Sequence, residues 1–265
     1  YESEGFDRDD MKLPAGHLRM IEAVAAANPN TVVVLLCGSA VECPWADSVK
    51  AVLYMGLPGQ AGGEAAAELL YGRANPGGRL AESWPYTYED VPSSEIYGKT
   101  ADALYQEGIY VGYRYYDKAR VPVRWPFGHG LSYTEFAYSG LTVDGDTVSV
   151  TVRNTGKRAG AEVAQLYLEA PQDGLYRPLR ELKGFQKVFL QPGESRTVRF
   201  ALTERSFAVW HDGWKIPAGT YAVCIGGLRA EIKKSGEVLP VPAWQSGSWY
   251  ARCTGKPDRA GWEAM

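Results

Sequence analysis

The sequence predicts two structural parts, an α/β layer with a parallel sheet followed by an all-β immunoglobulin-like sandwich. Helix-like and strand-like segments alternate in the first 72 residues, which is typical of a parallel α/β layer. From about residue 139 the chain changes to short segments of alternating polar and apolar residues separated by turns. The stretch between them, residues 73–138, is rich in glycine, proline and tyrosine and is predicted to be mostly loop.

The first part is predicted to contain two helices and two strands. Apolar residues at helical spacing and an alanine-rich composition predict helices at residues 15–28 and 63–72. Continuous apolar runs predict strands at residues 31–38 and 48–56. The first of these runs is rich in β-branched residues, so we expect it to be buried on both faces of a parallel sheet.

The second part shows the period-two alternation of half-buried antiparallel strands. Its clearest examples are Val148, Val150, Val152, Val198, Phe200 and Leu202. Turn-forming residues at 154–156, 191–194 and 217–220 separate the segments. About seven such strands in roughly one hundred residues are typical of an immunoglobulin-like sandwich.

These changes in sequence character predict the domain boundaries. Residues 1–138 form the α/β part, in which the long aromatic loops of residues 73–138 are expected to lie on the domain surface. Residues 139–235 form the sandwich, and residues 236–265 form an extended C-terminal tail that is expected to pack on another surface.

Composition excludes several classes of partner. The 265 residues include 28 Lys and Arg against 31 Asp and Glu, a net charge of −3, so no basic field favours nucleic acid or an anionic membrane. No apolar run is long enough to span a membrane.

The spacing of the cysteines predicts free thiols and does not predict a metal site. Four cysteines are present: Cys37, Cys43, Cys224 and Cys253. The spacing of the first two matches no common zinc pattern, and no histidine lies close to either. We therefore expect buried free thiols, which favours a reducing compartment such as the cytoplasm.

Two carboxylates stand near the start of the chain beside a glycine. If this segment is extended, Glu2 and Glu4 point to the same side, and Gly5 lets the backbone turn away directly after them. Such an arrangement can aim a carboxyl group from a loop into a neighbouring cleft. A solvated acidic terminus is the alternative, and these residues alone leave both interpretations open.

Four blocks of sequence carry a resemblance to a known family. Residues 2–14, ESEGFDRDDMKLP, resemble the acid/base loop of glycoside hydrolase family 3. Three further blocks resemble the same family in the same order, at residues 57–65, 72–80 and 107–133. The last domain, with its ELKGF and PGES segments, is similar to the fibronectin type III-like domain of that family. The resemblance covers nearly the whole chain.

The resemblance implies a retaining β-glycosidase, with β-glucosidase first and β-xylosidase or a related activity second. In that family a barrel domain supplies the nucleophilic aspartate, and the α/β-sandwich domain supplies the general acid/base. The resemblance assigns this role to Glu4, which directly precedes Gly-x-Asp-Arg, with Glu2 as the alternative. Asp7 and Arg8 are expected to form an ion pair that fixes the loop. No metal or organic cofactor is implied.

The resemblance also implies partners. The chain begins at the acid/base loop, so the nucleophile is expected on a barrel domain outside these residues, and a β-glucoside or oligosaccharide is the expected substrate. Retaining hydrolysis needs two carboxyl groups about 5–5.5 Å apart. The chain alone is therefore predicted to be inactive, with unpaired strand edges and exposed apolar surface. A non-catalytic carbohydrate-binding or structural module stays the alternative, and self-association is left open.

Overall fold

The computed structural model describes six stretches of the chain, residues 2–99, 101–102, 105–172, 174–175, 177–211 and 213–239. Most of the predicted C-terminal tail, together with Cys253, lies outside the described residues. Of the described cysteines, Cys37 and Cys43 are buried free thiols and Cys224 is a half-buried free thiol.

The α/β part contains the four predicted elements. The helices are α1 (Ala15–Ala27) and α2 (Gly62–Leu70), and the strands are β1 (Val32–Leu35) and β2 (Ala51–Tyr54). The two strands pair in parallel, as predicted. Behind them lies a core of buried side chains: Met11, Ile21, Leu35, Cys37, Ala40, Val41, Cys43, Trp45 and Trp84.

The prediction that β1 is buried on both faces is wrong. Val32 is 43% exposed, and of the four strand residues only Leu35 is buried. The reason is that the described residues give this sheet two strands, so packing covers it incompletely. The predicted exposure of apolar surface is observed at Met20, Val24, Val32, Leu36, Leu57, Leu70 and Tyr71.

Aromatic contacts anchor the long loop region to this core. Trp84 begins the short strand β3 (Trp84–Pro85), which pairs with β4 (Val123–Trp125). The Trp84 ring packs edge-on between Tyr54 and Trp125, at centroid distances of 5.2 and 5.4 Å. The region also contains a helix that the sequence did not predict, α3 (Tyr113–Ala119), which buries Tyr113 and Tyr116.

The second part is the predicted sandwich. Seven strands form its two main sheets: β5 (Phe136–Asp144), β6 (Thr147–Asn154), β7 (Gly160–Glu169), β8 (Arg180–Leu190), β9 (Ser195–Ala201), β12 (Gly219–Ile225) and β13 (Leu228–Lys234). One sheet has the order β13-β12-β7-β8 and the other the order β5-β6-β9. The alternating valines of β6 are fully buried between them, as the period-two pattern predicts.

A small third sheet closes one side of the sandwich. It consists of β10 (Val209–Trp210), β11 (Trp214–Ile216) and β14 (Glu237–Val238), and the short helix α4 (Glu204–Phe207) precedes it. The first residues of the predicted tail therefore pair within this sheet, and Leu239 joins the sandwich core. The predicted boundary after residue 138 falls inside β5.

A buried ion pair joins the two parts. Arg79, from the loop region, pairs with Glu162 on β7, and the exposed fractions of the two side chains are only 16% and 9%. Arg79 also donates a hydrogen bond to the carbonyl of Gly130, and the Tyr138 hydroxyl donates to the other Glu162 oxygen at 2.8 Å. Burial, together with the Glu162 carboxylate, raises the pKa of Tyr138 and keeps its hydroxyl a donor.

We expect Arg79→Met to lower the free energy of unfolding by about 3–5 kcal/mol, because it leaves Glu162 buried without its cation. The matched control is Arg73→Met, which breaks the exposed 2.8 Å pair with Glu68 and should cost less than about 1 kcal/mol. Urea unfolding monitored by tryptophan fluorescence measures both. Equal losses would show that the buried pair does not hold the parts together.

Titration of His129, which lies near the same ion pair, makes the stability of the fold depend on pH. Burial, and secondarily the nearby Arg79 cation, lower the pKa of His129 below its ordinary value. The unfolded chain then binds more protons than the folded one, so stability should fall as the pH drops through about 6.5 toward the folded-state pKa. Replacing the histidine, as in His129→Gln, should flatten this part of the stability profile. Urea unfolding of the parent chain and of this variant at a series of pH values checks the prediction, and a profile that keeps its slope in His129→Gln would contradict it.

Candidate functional site

The acidic segment at the start of the chain is tied to the end of β1. The carboxylate of Glu2 accepts a hydrogen bond from the backbone N–H of Gly38, with distances of 2.9 Å to Oε2 and 3.2 Å to Oε1. Gly38 lies just beyond β1, where side chains of parallel sheets commonly meet ligands. Glu2 is therefore engaged in holding the loop against the sheet.

Arg8 supports the same attachment from the other side. Its guanidinium donates to Ser39 Oγ at 2.6 Å and to the Ala40 carbonyl at 3.3 Å. It also lies 3.8 Å from the carboxylate of Glu2, as an ion pair. The segment that follows β1 is thus clamped between Glu2 and Arg8.

The predicted ion pair between Asp7 and Arg8 does not form among the described residues. Arg8 pairs with Glu2 instead, because its side chain turns toward the sheet edge. The carboxylate of Asp7 interacts with the Tyr97 hydroxyl and raises the pKa of Tyr97. Asp7 therefore connects the loop to the 91–99 segment, and the two neighbours position the loop through different partners.

Glu4 has a different environment from Glu2. The backbone bends at residues 4–6, so the extended geometry that would place both carboxylates on one side ends there. A hydrogen bond from the Gly5 N–H to Ser3 Oγ, at 3.2 Å, stabilises this bend. Glu4 is exposed, and within the described part of the chain it makes no hydrogen bond or ion pair. Its carboxyl group is available to a molecule that approaches the loop.

A third carboxylate, Glu82, was missed by the sequence reasoning. Its Oε1 accepts the Ala40 N–H at 2.9 Å. Burial raises the pKa of Glu82, while the hydrogen bond from the Ala40 N–H and the Arg8 cation partly offset this by lowering the pKa. No sequence motif marks this residue. Glu82 lies 42 positions from its hydrogen-bond partner Ala40, so no local pattern could connect the two. Its neighbours become apparent only in the folded chain.

A cleft of about 630 Å³ opens beside the loop. Arg8, Ser39 and Glu82 line it, and Tyr113 and Arg114 contribute from the aromatic 107–127 region. Its volume lies in the range of about 300–1,000 Å³ that is usual for small-molecule sites. The acidic loop thus borders a cavity large enough for a sugar.

The described residues contain neither a metal-binding cluster nor a membrane-spanning helix. No group of three or more His, Cys, Asp or Glu side chains is placed to hold a metal ion. No described helix combines the length and apolar character that a transmembrane span requires.

The fold and this loop define the class of protein, a non-barrel region of a glycoside hydrolase. Residues 1–113 match the family model described as the glycosyl hydrolase family 3 C-terminal domain, and residues 162–228 match the model of the fibronectin type III-like domain. The chain belongs to glycoside hydrolase family 3, and it contains these two domains in this order.

Individual relatives agree with this assignment. The chain is 48% identical to thermostable beta-glucosidase B of Acetivibrio thermocellus, over 88% of this chain and 32% of that protein. It is 41% identical to the exo-alpha-(1->6)-L-arabinopyranosidase of Bifidobacterium breve, over 94% of this chain and 36% of the relative. The chain thus spans about a third of the length of the curated relatives it matches.

Solved structures show the same fold. The crystal structure of the GH3 beta-glucosidase of Bifidobacterium adolescentis superposes with a TM-score of 0.85 at 39% identity, over 99% of this chain and 41% of that one. Beta-glucosidase 3B of Thermotoga neapolitana, solved with alpha-D-glucose, gives a TM-score of 0.84 at 36% identity, over 90% of this chain and 37% of that one.

The two glutamates should differ in their effect on the loop. Glu2→Ala removes the acceptor of the Gly38 N–H and the ionic partner of Arg8, so amide hydrogen exchange at Gly38 should accelerate and the free energy of unfolding should fall by about 1 kcal/mol. The control Glu4→Ala removes an exposed carboxylate and should change stability by less than about 0.5 kcal/mol. Exchange at Gly38 that is unchanged in Glu2→Ala would contradict the anchoring role.

Proposed function

We propose that this chain is the acid/base-bearing part of a retaining β-glycosidase that hydrolyses terminal, non-reducing β-linked sugars. The observation that carries the proposal is the contrast between the two glutamates: Glu2 is committed to the Gly38 N–H, whereas Glu4 is exposed at the bend of a loop whose Asp7 and Arg8 line an open cleft. Family 3 membership supports the same reading. The family resemblance assigns the acid/base role to Glu4.

The chemistry divides between two carboxyl groups. A nucleophilic aspartate, which we assign to a barrel domain outside this chain, attacks the anomeric carbon as the bond to the leaving oxygen breaks, and Glu4 gives its proton to that oxygen. In the second step water attacks the same carbon and releases the aspartate. The carboxylate of Glu4 now takes the proton of that water, which restores both groups.

The remaining residues of the loop position Glu4. Glu2 and Arg8 hold the loop on the segment that follows β1, and Asp7 connects it to Tyr97. Precise placement matters because an acid must lie within hydrogen-bond reach of the atom it protonates. Glu82 shares Ala40 with this clamp, since it accepts the Ala40 N–H while Arg8 donates to the Ala40 carbonyl. We assign these four side chains to support and none of them to proton transfer.

The docking partner that the proposal requires is the family 3 barrel domain. Exposed apolar side chains around the two-stranded sheet support this requirement, because an α/β layer normally covers such a surface. The nucleophile and Glu4 must approach to about 5–5.5 Å for retention. The chain by itself is therefore expected to lack hydrolytic activity.

β-Glucoside is the proposed substrate class, because several relatives are named beta-glucosidases. A second specificity has one specific observation in its favour, since the relative from Bifidobacterium breve is named an exo-alpha-(1->6)-L-arabinopyranosidase. Both reactions cleave a terminal sugar and place the same demand on Glu4. A panel of aryl β-glucosides, aryl α-L-arabinopyranosides and aryl β-xylosides distinguishes them.

The test of Glu4 uses the protein together with any chain that co-purifies with it. The masses of all chains in the sample are measured first. Glu4→Gln should slow hydrolysis by about 10²–10⁴-fold for substrates with poor leaving groups, which need protonation. Formation of the glycosyl-enzyme from a 2,4-dinitrophenyl β-glucoside should be nearly unchanged, because that leaving group departs without a proton. Added azide should restore turnover of this substrate, since azide attacks the anomeric carbon without general-base assistance.

The matched control is Glu2→Gln, which makes the same change of charge two residues away. It should weaken the loop clamp and slow all substrates by a similar, smaller factor, without azide rescue. A leaving-group dependence and azide rescue that appear in Glu2→Gln and not in Glu4→Gln would transfer the acid/base role to Glu2. Full activity of the isolated 265-residue chain would overturn the proposal, because the nucleophile would then lie on it.

A further inference from the structure

A second cavity, of about 410 Å³, lies in the sandwich at the small third sheet. The β10–β11 hairpin and α4 contribute part of its lining, and Leu168, Pro178, Glu181 and Lys183 are among the residues that contribute from the main sheet and its adjoining loop. Ile109, from the aromatic region of the α/β part, completes the rim. The Tyr110 hydroxyl holds that segment in place by donating to the Arg177 carbonyl at 3.1 Å. The volume is within the range typical of small-molecule sites.

Aromatic rings dominate the floor of this cavity. Trp210 and Trp214 lie opposite each other in the β10–β11 hairpin and pack edge to face, with ring centroids 5.3 Å apart. Phe207 and Tyr221 form a second edge-to-face pair at 5.2 Å. Trp210 keeps 56% of its surface exposed although it costs free energy to leave so large an apolar ring in water.

Three of these rings are held by contacts within the protein. The Arg205 guanidinium lies over the Trp214 ring, 3.1 Å from its centroid, and Lys234 lies over Phe207 at 4.2 Å. The Tyr221 hydroxyl donates to the Pro217 carbonyl at 2.9 Å. A preorganised aromatic surface loses little conformational freedom on binding, which favours recognition.

Charged side chains at the opposite edge are paired with each other. Lys183 Nζ lies 3.0 Å from Glu181 Oε2, and Arg114 Nε lies 3.6 Å from Glu181 Oε1. These groups offer hydrogen-bond donors and acceptors, and the two of them that line the cavity, Lys183 and Glu181, compensate each other's charge. Such an edge suits the hydroxyl groups of a neutral ligand better than an ion of either sign.

We propose that this cavity binds a neutral β-linked pyranose oligosaccharide, at a site separate from the acid/base loop. The apolar face of a pyranose ring packs on Trp210, and its hydroxyl groups exchange hydrogen bonds with Glu181 and Lys183. Binding at this site requires neither hydrolysis nor the barrel domain, so it does not depend on the role of Glu4.

This cavity and the cleft beside the acid/base loop are neighbours across one ion pair. Arg114 lines the cleft beside the acid/base loop, and its partner Glu181 lines the cavity in the sandwich. An oligosaccharide held on Trp210 would therefore keep its chain close to the cleft that Asp7 and Arg8 of the acid/base loop line. If Glu4 acts as proposed, the sandwich site retains long substrates near the catalytic loop.

Binding can be measured on the 265-residue chain carrying Glu4→Gln, by isothermal titration with cellotetraose and xylotetraose. We expect saturable binding of at least one of them and a loss of about tenfold or more in affinity for Trp210→Ala, equivalent to about 1.4 kcal/mol. Trp210→Phe, which keeps an aromatic face, should retain affinity within about threefold. Glu181→Gln tests the polar edge and should also weaken binding.

The matched control is Phe185→Ala, which removes an equally exposed aromatic ring, 69% accessible, from β8 outside the cavity. Its affinity should equal that of the parent chain, and circular dichroism should show that all variants are folded. The proposal is overturned if neither oligosaccharide binds at millimolar concentration, or if binding is the same in Trp210→Ala. Failure of the Glu4 kinetics would leave this titration unaffected, so the two proposals fail separately.

Discussion

The arrangement of this molecule depends on the buried ion pair between Arg79 and Glu162. Arg79 also bonds the Gly130 carbonyl, and Tyr138 bonds the second oxygen of Glu162, so the pair gathers distant segments at one point. Separating the two parts would leave a charge buried without its partner, which costs several kcal/mol. The aromatic region can then act as a rigid wall between the α/β layer and the sandwich, although it contains little regular structure.

The same aromatic region lies between the cleft beside the acidic loop and the cavity in the sandwich. Tyr113 stacks on Phe127 at 4.8 Å and packs edge-on against Tyr167 of the sandwich at 6.0 Å. Its hydroxyl accepts the backbone N–H of Leu182 at 2.8 Å. The same residue lines the cleft beside the acidic loop, so the position of one wall of the candidate site is set by the sandwich. A fibronectin-like domain that makes no contact with Glu4 can affect its surroundings in this way.

Much of the fold could be predicted from local patterns, because those patterns reflect local physics. The alternating valines of β6 and the apolar runs of β1 and β2 each identify their element. Two things could not be predicted in this way. Helix α3 carries Tyr113 and Tyr116, three residues apart, in a stretch crowded with glycine and tyrosine. The burial of β1 depends on how many strands and helices cover it, which its own sequence does not contain.

For the site, the sequence identified the residues of the loop better than their partners. Glu2, Glu4, Asp7 and Arg8 are adjacent in the chain, so a motif can select them together. Outside the loop, however, Glu2, Arg8 and Asp7 contact Gly38, Ser39 and Tyr97, which lie 30 to 90 positions away. The expected pairing of Asp7 with Arg8 assumed that neighbours in sequence are partners in space. Glu82 was missed for the same reason, since only the fold brings it to Ala40.

The contrast between Glu2 and Glu4 agrees with what each of their proposed roles requires. A residue that fixes a loop must keep its oxygens on a donor, as Glu2 does on the Gly38 N–H. A residue that transfers a proton must be able to reach the substrate, and for Glu2 this would mean breaking the bond that positions the loop. One carboxylate cannot meet both demands at once. Two glutamates separated by one residue and a bend can, because the first fixes the backbone from which the second extends.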